Sequence, residues 1–206
     1  AEIEAVRAQY PFEDLKWKYP MTRFTFAEAV GLLRTKGPAV IEKKLKAAAT
    51  DYEKGLILKH LESVKAHQDE DDISTEDEKV LGVVVHQEFG EDLYIIDKFP
   101  KDVRPFYTMP DPHDARWTNA FDVFLRGEEI TSGAQRIHDP KMLAERASAL
   151  GIELKSIQPY LDAFKYGAYP HGGAGIGMER VVMLFLQLNN IRKTSMFPRD
   201  PKRLTP

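Results

Sequence analysis

His171-Gly172-Gly173-Ala174-Gly175-Ile176-Gly177-Met178-Glu179-Arg180 is the stretch whose reading decides the fold of this chain. Its glycines run directly into an apolar segment (Val181, Val182, Leu184, Phe185, Leu188) whose spacing predicts a helix. Glycine accepts backbone angles closed to other residues and lets a ligand lie against the main chain. The first turn of such a helix offers free N–H groups to an anion. Arg180 adds a planar cation able to stack on a base or bind phosphate. Together these features describe a nucleotide site. A glycine-rich turn feeding a core helix is the plainer alternative, and the trailing Met178-Glu179-Arg180 weighs against it. Two common motifs are excluded. No Gly-Lys-Ser/Thr closes the stretch, as a phosphate loop requires, and a dinucleotide fingerprint started at Gly173 would need glycine where Met178 stands.

Gly175-Ile176-Gly177-Met178-Glu179-Arg180 resembles motif 3 of the class II aminoacyl-tRNA synthetases. Three further stretches resemble the eukaryotic cytosolic aspartate branch of that family: Arg104-Pro105-Phe106-Tyr107-Thr108-Met109-Pro110, the run from Arg126 to Pro140, and the tail from Ser195 to Pro206. The resemblance covers residues 20–36 and, continuously, about 70 to the end. It implies an α+β fold, the C-terminal half of the class II catalytic domain, with an antiparallel sheet flanked by helices.

The bulk numbers agree with one soluble domain. A chain of 206 residues, 43% hydrophobic and 30% charged, can bury one good core. A net charge of −3 carries no basic footprint for nucleic acid, so any tRNA platform is a local patch or lies elsewhere. Without cysteine the sequence has no disulfide and no thiolate metal site, in keeping with a reducing, cytoplasmic setting. No apolar run is long enough to span a bilayer. Ala1-Glu2-Ile3-Glu4 reads as the middle of a protein.

Along the chain, Ile3, Val6 and Tyr10 predict the end of a helix, and Pro11 and Pro20 bound an irregular segment. Thr25-Phe26-Ala27-Glu28 reads as a capping box that opens a helix stopped by Gly37-Pro38. Residues 39–66 predict a helical hairpin inserted into the domain, a solvated surface piece or, through Lys43, Lys44 and Lys46, a tRNA contact. Asp69–Asp72 is a solvated acidic run. Ser74 and Thr75 cap the next helix, which Gly90 ends. Leu93–Asp97 and Phe121–Leu125 predict strands. Asp139-Pro140 caps a helix closed by Gly151, and Ile157, Tyr160, Leu161 and Phe164 stripe another before Gly167.

Glu129, Ser132 and Arg136 form the second constellation. On a strand, residues four apart share a face, so Ser132 and Arg136 point together while Glu129 points away. A break or bulge near Thr131–Gly133 is needed to bring all three to one ligand, and Gly133 permits it. By themselves Glu129 and Arg136 also read as an ordinary salt bridge. The resemblance implies more specific roles. Glu129 stands near the ATP phosphates and holds Mg²⁺, Ser132 contacts the substrate L-aspartate and helps position the metal, and Arg136 pairs with the substrate's side-chain carboxylate. Gly177, Met178, Glu179 and Arg180 line the ATP site, with Arg180 stacked on the adenine. His171 contacts the adenylate, swung in by Gly172-Gly173, or is an exposed turn histidine. Lys98, after the strand, reads as a surface lysine ahead of a second cation reaching the site, and His138 as a hydrogen-bonder beside a helix cap.

The implied reaction is ATP-dependent aspartate activation followed by transfer to tRNA(Asp). The resemblance also places motifs 1 and 2, the homodimer interface and the anticodon-binding barrel upstream of residue 1, so the chain alone is expected to be inactive. A synthetase-like amide ligase that makes asparagine, and a non-catalytic module that kept the fold, are the alternatives.

Overall fold

The computed structural model describes residues 2–205. In chain order the elements are α1 (Glu2–Gln9), β1 (Thr22–Thr25), α2 (Phe26–Ala47), α3 (Asp51–Ala66), α4 (Thr75–Phe89), β2 (Leu93–Asp97), β3 (Ala120–Leu125), β4 (Glu128–Arg136), α5 (Pro140–Ala149), α6 (Gln158–Lys165), β5 (His171–Ile176) and α7 (Met178–Phe185). The strands form one open sheet in the order β1-β2-β3-β4-β5. The ladders from β2 to β5 are antiparallel, as expected, whereas β1 runs parallel to β2. That parallel pair follows from the long crossover through α2, α3 and α4 between them.

Local sequence sets the helix starts. Thr25 and Glu28 satisfy each other's free backbone N–H groups at the head of α2, and Thr50 with Glu53 and Ser74 with Asp77 repeat the device on α3 and α4. Gly90, at φ 71°, ends α4 in the left-handed conformation. The expected stop at Gly37-Pro38 is overturned: α2 runs through both residues to Ala47. At Gly37 the helix packs closely, since a Cβ there would meet Leu33 of α2 itself, Val80 of α4 and Val64 of α3 at 3.2–3.4 Å. Beyond it Val40 and Ile41 are buried, and their burial offsets the hydrogen bond that Pro38 removes.

One face of the sheet (Phe24, Tyr94, Ile96, Phe124) packs against Phe26, Val30 and Leu33 of α2 and Val80, Leu81 and Val84 of α4. The block 39–66 forms the rest of α2 and the antiparallel α3. Its Val40, Ile41, Leu61 and Val64 belong to that core, while Lys43, Lys44 and Lys46 stay exposed. A second cluster (Ile137, Leu143, Leu161, Phe164) seats α5 and α6 beside the end of β4. At the β3–β4 turn α4 and the backbone touch directly: a Cβ on Gly82 would lie 2.3 Å from the Gly127 Cα. Among the described residues no helix is long and apolar enough to cross a membrane.

Candidate active site

The β4 strand carries the candidate residues Glu129, Ser132 and Arg136. In the β3–β4 ladder Phe124 pairs with Glu129 while Val123 pairs with Thr131, so Ile130 is an extra residue. Directly paired residues share a face. Glu129 therefore sits on the same side as Ser132, which pairs with Asp122, and as Arg136. The required bulge exists, but it falls at Ile130, ahead of the expected Thr131–Gly133. Gly133 serves packing instead, because a Cβ there would lie 2.6 Å from the Phe121 ring. The alternative Glu129–Arg136 salt bridge is not formed among the described residues. The Glu129 main-chain carbonyl instead accepts from Arg180 Nη1 at 2.7 Å.

Three groups that sequence reasoning had not assigned stand beside these. Asp122 is 4% exposed, is held by Arg104 through one oxygen, and its Oδ1 is buried without a partner. Arg104 also donates to Ser132 Oγ at 3.2 Å and lies 3.6 Å above the Phe99 ring. Glu78, in the first turn of α4, feels both carboxylates: burial, then Glu129 and Asp122, push its carboxyl up to about 7. Burial and the Asp122 charge also raise Glu129, against the opposing pull of Arg104 and Arg180. Asp122 was open to detection, as the one charged residue within Phe121–Leu125, spaced to share the core face with Phe124. Glu78 has no local signal that separates it from Glu76 and Asp77.

At the far end of β4 the Arg136 guanidinium lies over Gly173, whose ideal Cβ position is 2.8 Å from Nη2. The Tyr107 ring is 5.3 Å from its Cζ. Arg104, Arg23 and Arg126 each pair with an aspartate, whereas Arg136 has no carboxylate partner among the described residues. It lines a cleft of about 360 Å³ together with Arg104, Tyr107, Ser132, Gly173 and Gly175.

The glycine stretch is not a loop. His171–Ile176 is the sheet-edge strand β5, in register with β4, and His171 pairs with Arg136. The expected swing of His171 is replaced by a held ring, stacked on Phe164 at 5.5 Å and 17°, beside the Tyr169 carbonyl. Gly177 caps α7 and donates to the Ile130 carbonyl at 3.0 Å. The helix ends at Phe185, short of Leu188. Met178, Glu179 and Arg180 are exposed along its first turn. Lys98, expected on the surface, is clamped by Asp111 and by Asn119 Oδ1 at 2.8 Å. His138 has its Nδ1 buried without a partner, so the expected cap-side hydrogen bond is missing at that atom.

The family model for class II tRNA synthetases (D, K and N) matches residues 2–201. The chain belongs to this family. Among curated class II synthetases it is 50% identical over 205 residues to the cytoplasmic aspartate–tRNA ligase of Homo sapiens and 49% to that of Caenorhabditis elegans. Each alignment spans all of this chain but 36% and 34% of the relative, so the chain covers about a third of those synthetases. Among solved structures, the aspartyl-tRNA synthetase of Entamoeba histolytica superposes with a TM-score of 0.81 at 42% identity, over all of this chain and 36% of that one. The asparaginyl-tRNA synthetase of Pyrococcus horikoshii superposes at 0.73 with 30% identity, over all of this chain and 41% of that one.

Proposed function

We propose that this chain is the aspartate-selecting part of an aspartate–tRNA ligase, an enzyme that activates L-aspartate with ATP and passes it to tRNA(Asp) in the cytoplasm. The observation that carries the reading is Arg136, a half-buried cation aimed into a cleft with no carboxylate partner among the described residues. A guanidinium fork fits a carboxylate bidentately, and an amide in that place leaves one N–H donor facing another.

In this reading the substrate's side chain lies on Arg136 and its α-carboxylate points along β4 toward Ser132. An oxygen of that carboxylate attacks the α-phosphorus of ATP, the bond to the β-phosphate oxygen breaks, and pyrophosphate leaves. No protein nucleophile takes part, so the residues act by positioning and by charge. Arg180, on the first turn of α7, offers a planar cation to the adenine, with Gly177, Met178 and Glu179 beside it. His171 closes the Arg136 end.

The Mg²⁺ that the family relation implies fits these residues. The partnerless Asp122 Oδ1 and the Glu129 carboxylate are hard oxygen donors on one face, with Ser132 Oγ beside them. Bound there, the ion would neutralise phosphate charge. Mg²⁺ takes few protein carboxylates and completes its shell with phosphate and water. The homodimer expected from the resemblance belongs to the same proposal, formed through upstream segments. We also expect the 206-residue chain by itself to be inactive.

The test is aspartate-dependent ATP–pyrophosphate exchange in the full-length parent, with asparagine as the control amino acid, followed by charging of tRNA(Asp). Exchange with aspartate and not asparagine supports the reading. Preference for asparagine would assign the site to an asparagine-activating relative, and no exchange with either would leave a non-catalytic module.

A further inference from the structure

Pro105 disfavours a helical backbone at the residue before it, and Arg104 is extended, at φ −117° and ψ 150°. Its side chain crosses from the turn Lys101–Val103 to the β3–β4 ladder, where it is 14% exposed. Nη2 donates to Asp122 Oδ2, Nη1 donates to Ser132 Oγ at 3.2 Å, and Cζ lies 3.6 Å above the Phe99 ring. Phe99 is itself buried against Phe26, with ring centroids 5.0 Å apart. Nε is buried without a partner, so the stacking and the two terminal nitrogens fix the guanidinium plane.

This clamp sets how the Ser132 hydroxyl works. A hydroxyl oxygen can accept one hydrogen bond while its hydrogen goes to a different partner. Arg104 fills an acceptor position on Oγ, so the hydrogen turns elsewhere. Asp122 pairs with Ser132 across the ladder but does not take it, because its Oδ1 has no partner. Among the described residues Ser132 Oγ has no second hydrogen-bond partner. The direction left is the cleft. Gly175, paired with Ser132 on β5, leaves it open there, since a Cβ on Gly175 would meet nothing within 4 Å.

We propose that Arg104 is a positioning residue for the amino acid: its guanidinium turns the Ser132 hydroxyl so that the O–H donates into the cleft, to the substrate's α-carboxylate. The inference rests on the reading of this cleft as an aspartate site. Arg136 takes the side-chain carboxylate at one end of the face, and Arg104 acts on the other carboxylate through Ser132. A lysine at position 104 is a point charge without a fork. It keeps the ion pair with Asp122 but cannot hold Ser132 at the same time. The freed hydroxyl then has Asp122 Oδ1 as a competing acceptor, and the substrate loses a hydrogen bond.

The experiment uses the full-length parent carrying Arg104→Lys, Ser132→Ala, or both. ATP–pyrophosphate exchange is measured with aspartate and ATP varied in turn. Each single substitution is expected to raise the KM for aspartate about tenfold, the scale of one hydrogen bond to a charged group. In Arg104→Lys, kcat and the KM for ATP stay within about twofold. The double variant is expected to match Ser132→Ala in its KM for aspartate, because without the hydroxyl Arg104 has nothing left to orient. An unchanged KM for aspartate in Arg104→Lys overturns the proposal. Effects that multiply to about a hundredfold in the double variant also overturn it, since Arg104 then acts independently of Ser132. So do equal increases in the KM values for aspartate and ATP in Arg104→Lys, which mark a general structural role. Ser132→Ala breaks no ion pair, and an unchanged KM for aspartate in that variant is enough to reject the proposal by itself. A wild-type parent that does not activate aspartate defeats the underlying site reading, an outcome visible before any variant is made.

Discussion

Glu129 and Ser132 face the same side of the sheet although three positions apart, because Ile130 is an extra residue in the β4 ladder. The bulge creates an acidic and hydroxyl surface with Asp122, one of whose oxygens is buried without a partner. Arg104 fixes that surface by holding Asp122 and Ser132 together. The arrangement costs a broken ladder pair and gathers two carboxylates and a hydroxyl on one face of the sheet.

The first prediction tests that surface. Glu129→Gln keeps the shape and removes one negative charge. In the full-length parent, ATP–pyrophosphate exchange is expected to fall by on the order of 100-fold, with a higher Mg²⁺ concentration needed for half-maximal rate. Magnesium dependence that matches the unaltered protein would take Glu129 out of the metal role.

Glu78 gives a pH signature. Its carboxyl is raised to about 7 in the folded chain from an ordinary value of 4.5, by burial first and then by Glu129 and Asp122. The folded state therefore holds this proton more tightly than the unfolded one. The stabilising contribution is full below the unfolded value and is lost as pH rises through about 7. Glu78→Gln stays neutral throughout. Its melting temperature relative to the unaltered protein is expected to climb between about pH 5 and about pH 8. Parallel melting curves over that window would show that Glu78 is not coupled to the site carboxylates.

Two glycines test packing. A Cβ on Gly82 would lie 2.3 Å from the Gly127 Cα, a backbone atom that cannot move without shifting the β3–β4 turn. A Cβ on Gly133 would meet a side chain, the Phe121 ring, at 2.6 Å. Gly82→Ala is expected to cost about 3 kcal/mol and Gly133→Ala about 1–2 kcal/mol. Thermal unfolding should therefore rank Gly82→Ala as the less stable variant. The reverse order would show that β3 and β4 are the more rigid contact.

Much of this was open to reading along the chain. Capping pairs such as Thr25 with Glu28 act within a few residues, so the helix starts were legible, and the need for a bulge followed from strand periodicity alone. The bulge position was not legible, because Gly133 advertised flexibility but was required by Phe121, a neighbour on another strand. His171-Gly172-Gly173 suggested a mobile loop for the same reason: nothing local says that the glycines lie in a ladder under Arg136. Glu78 joins the site from α4, a helix distant in sequence from β4, and only tertiary packing brings it there. Family resemblance singled out Arg136, but its lack of an acidic partner needed three dimensions.

Gly37-Pro38 was the clearest local signal that packing overrode, and it yields the last prediction. A proline inside a helix has no N–H for the carbonyl four residues back, here that of Arg34, and its ring crowds that oxygen, at a cost of about 3 kcal/mol. The helix continues because Val40 and Ile41 are buried one turn later. Pro38→Ala restores the donor and relieves the ring. It also frees the unfolded chain, which returns roughly 0.4–1 kcal/mol to the other side. The net expectation is a gain of about 2 kcal/mol, or roughly 4–8 °C in melting temperature for a chain of this size. Gly37→Ala, one position away, should gain less, since its Cβ presses on Leu33, Val80 and Val64 and offsets the roughly 1 kcal/mol that alanine gains over glycine inside a helix. Calorimetric unfolding of both variants separates the causes. A lower melting temperature for Pro38→Ala would mean that the bend proline imposes is what seats Val40 and Ile41 in the core, and that the helix runs on because of its proline.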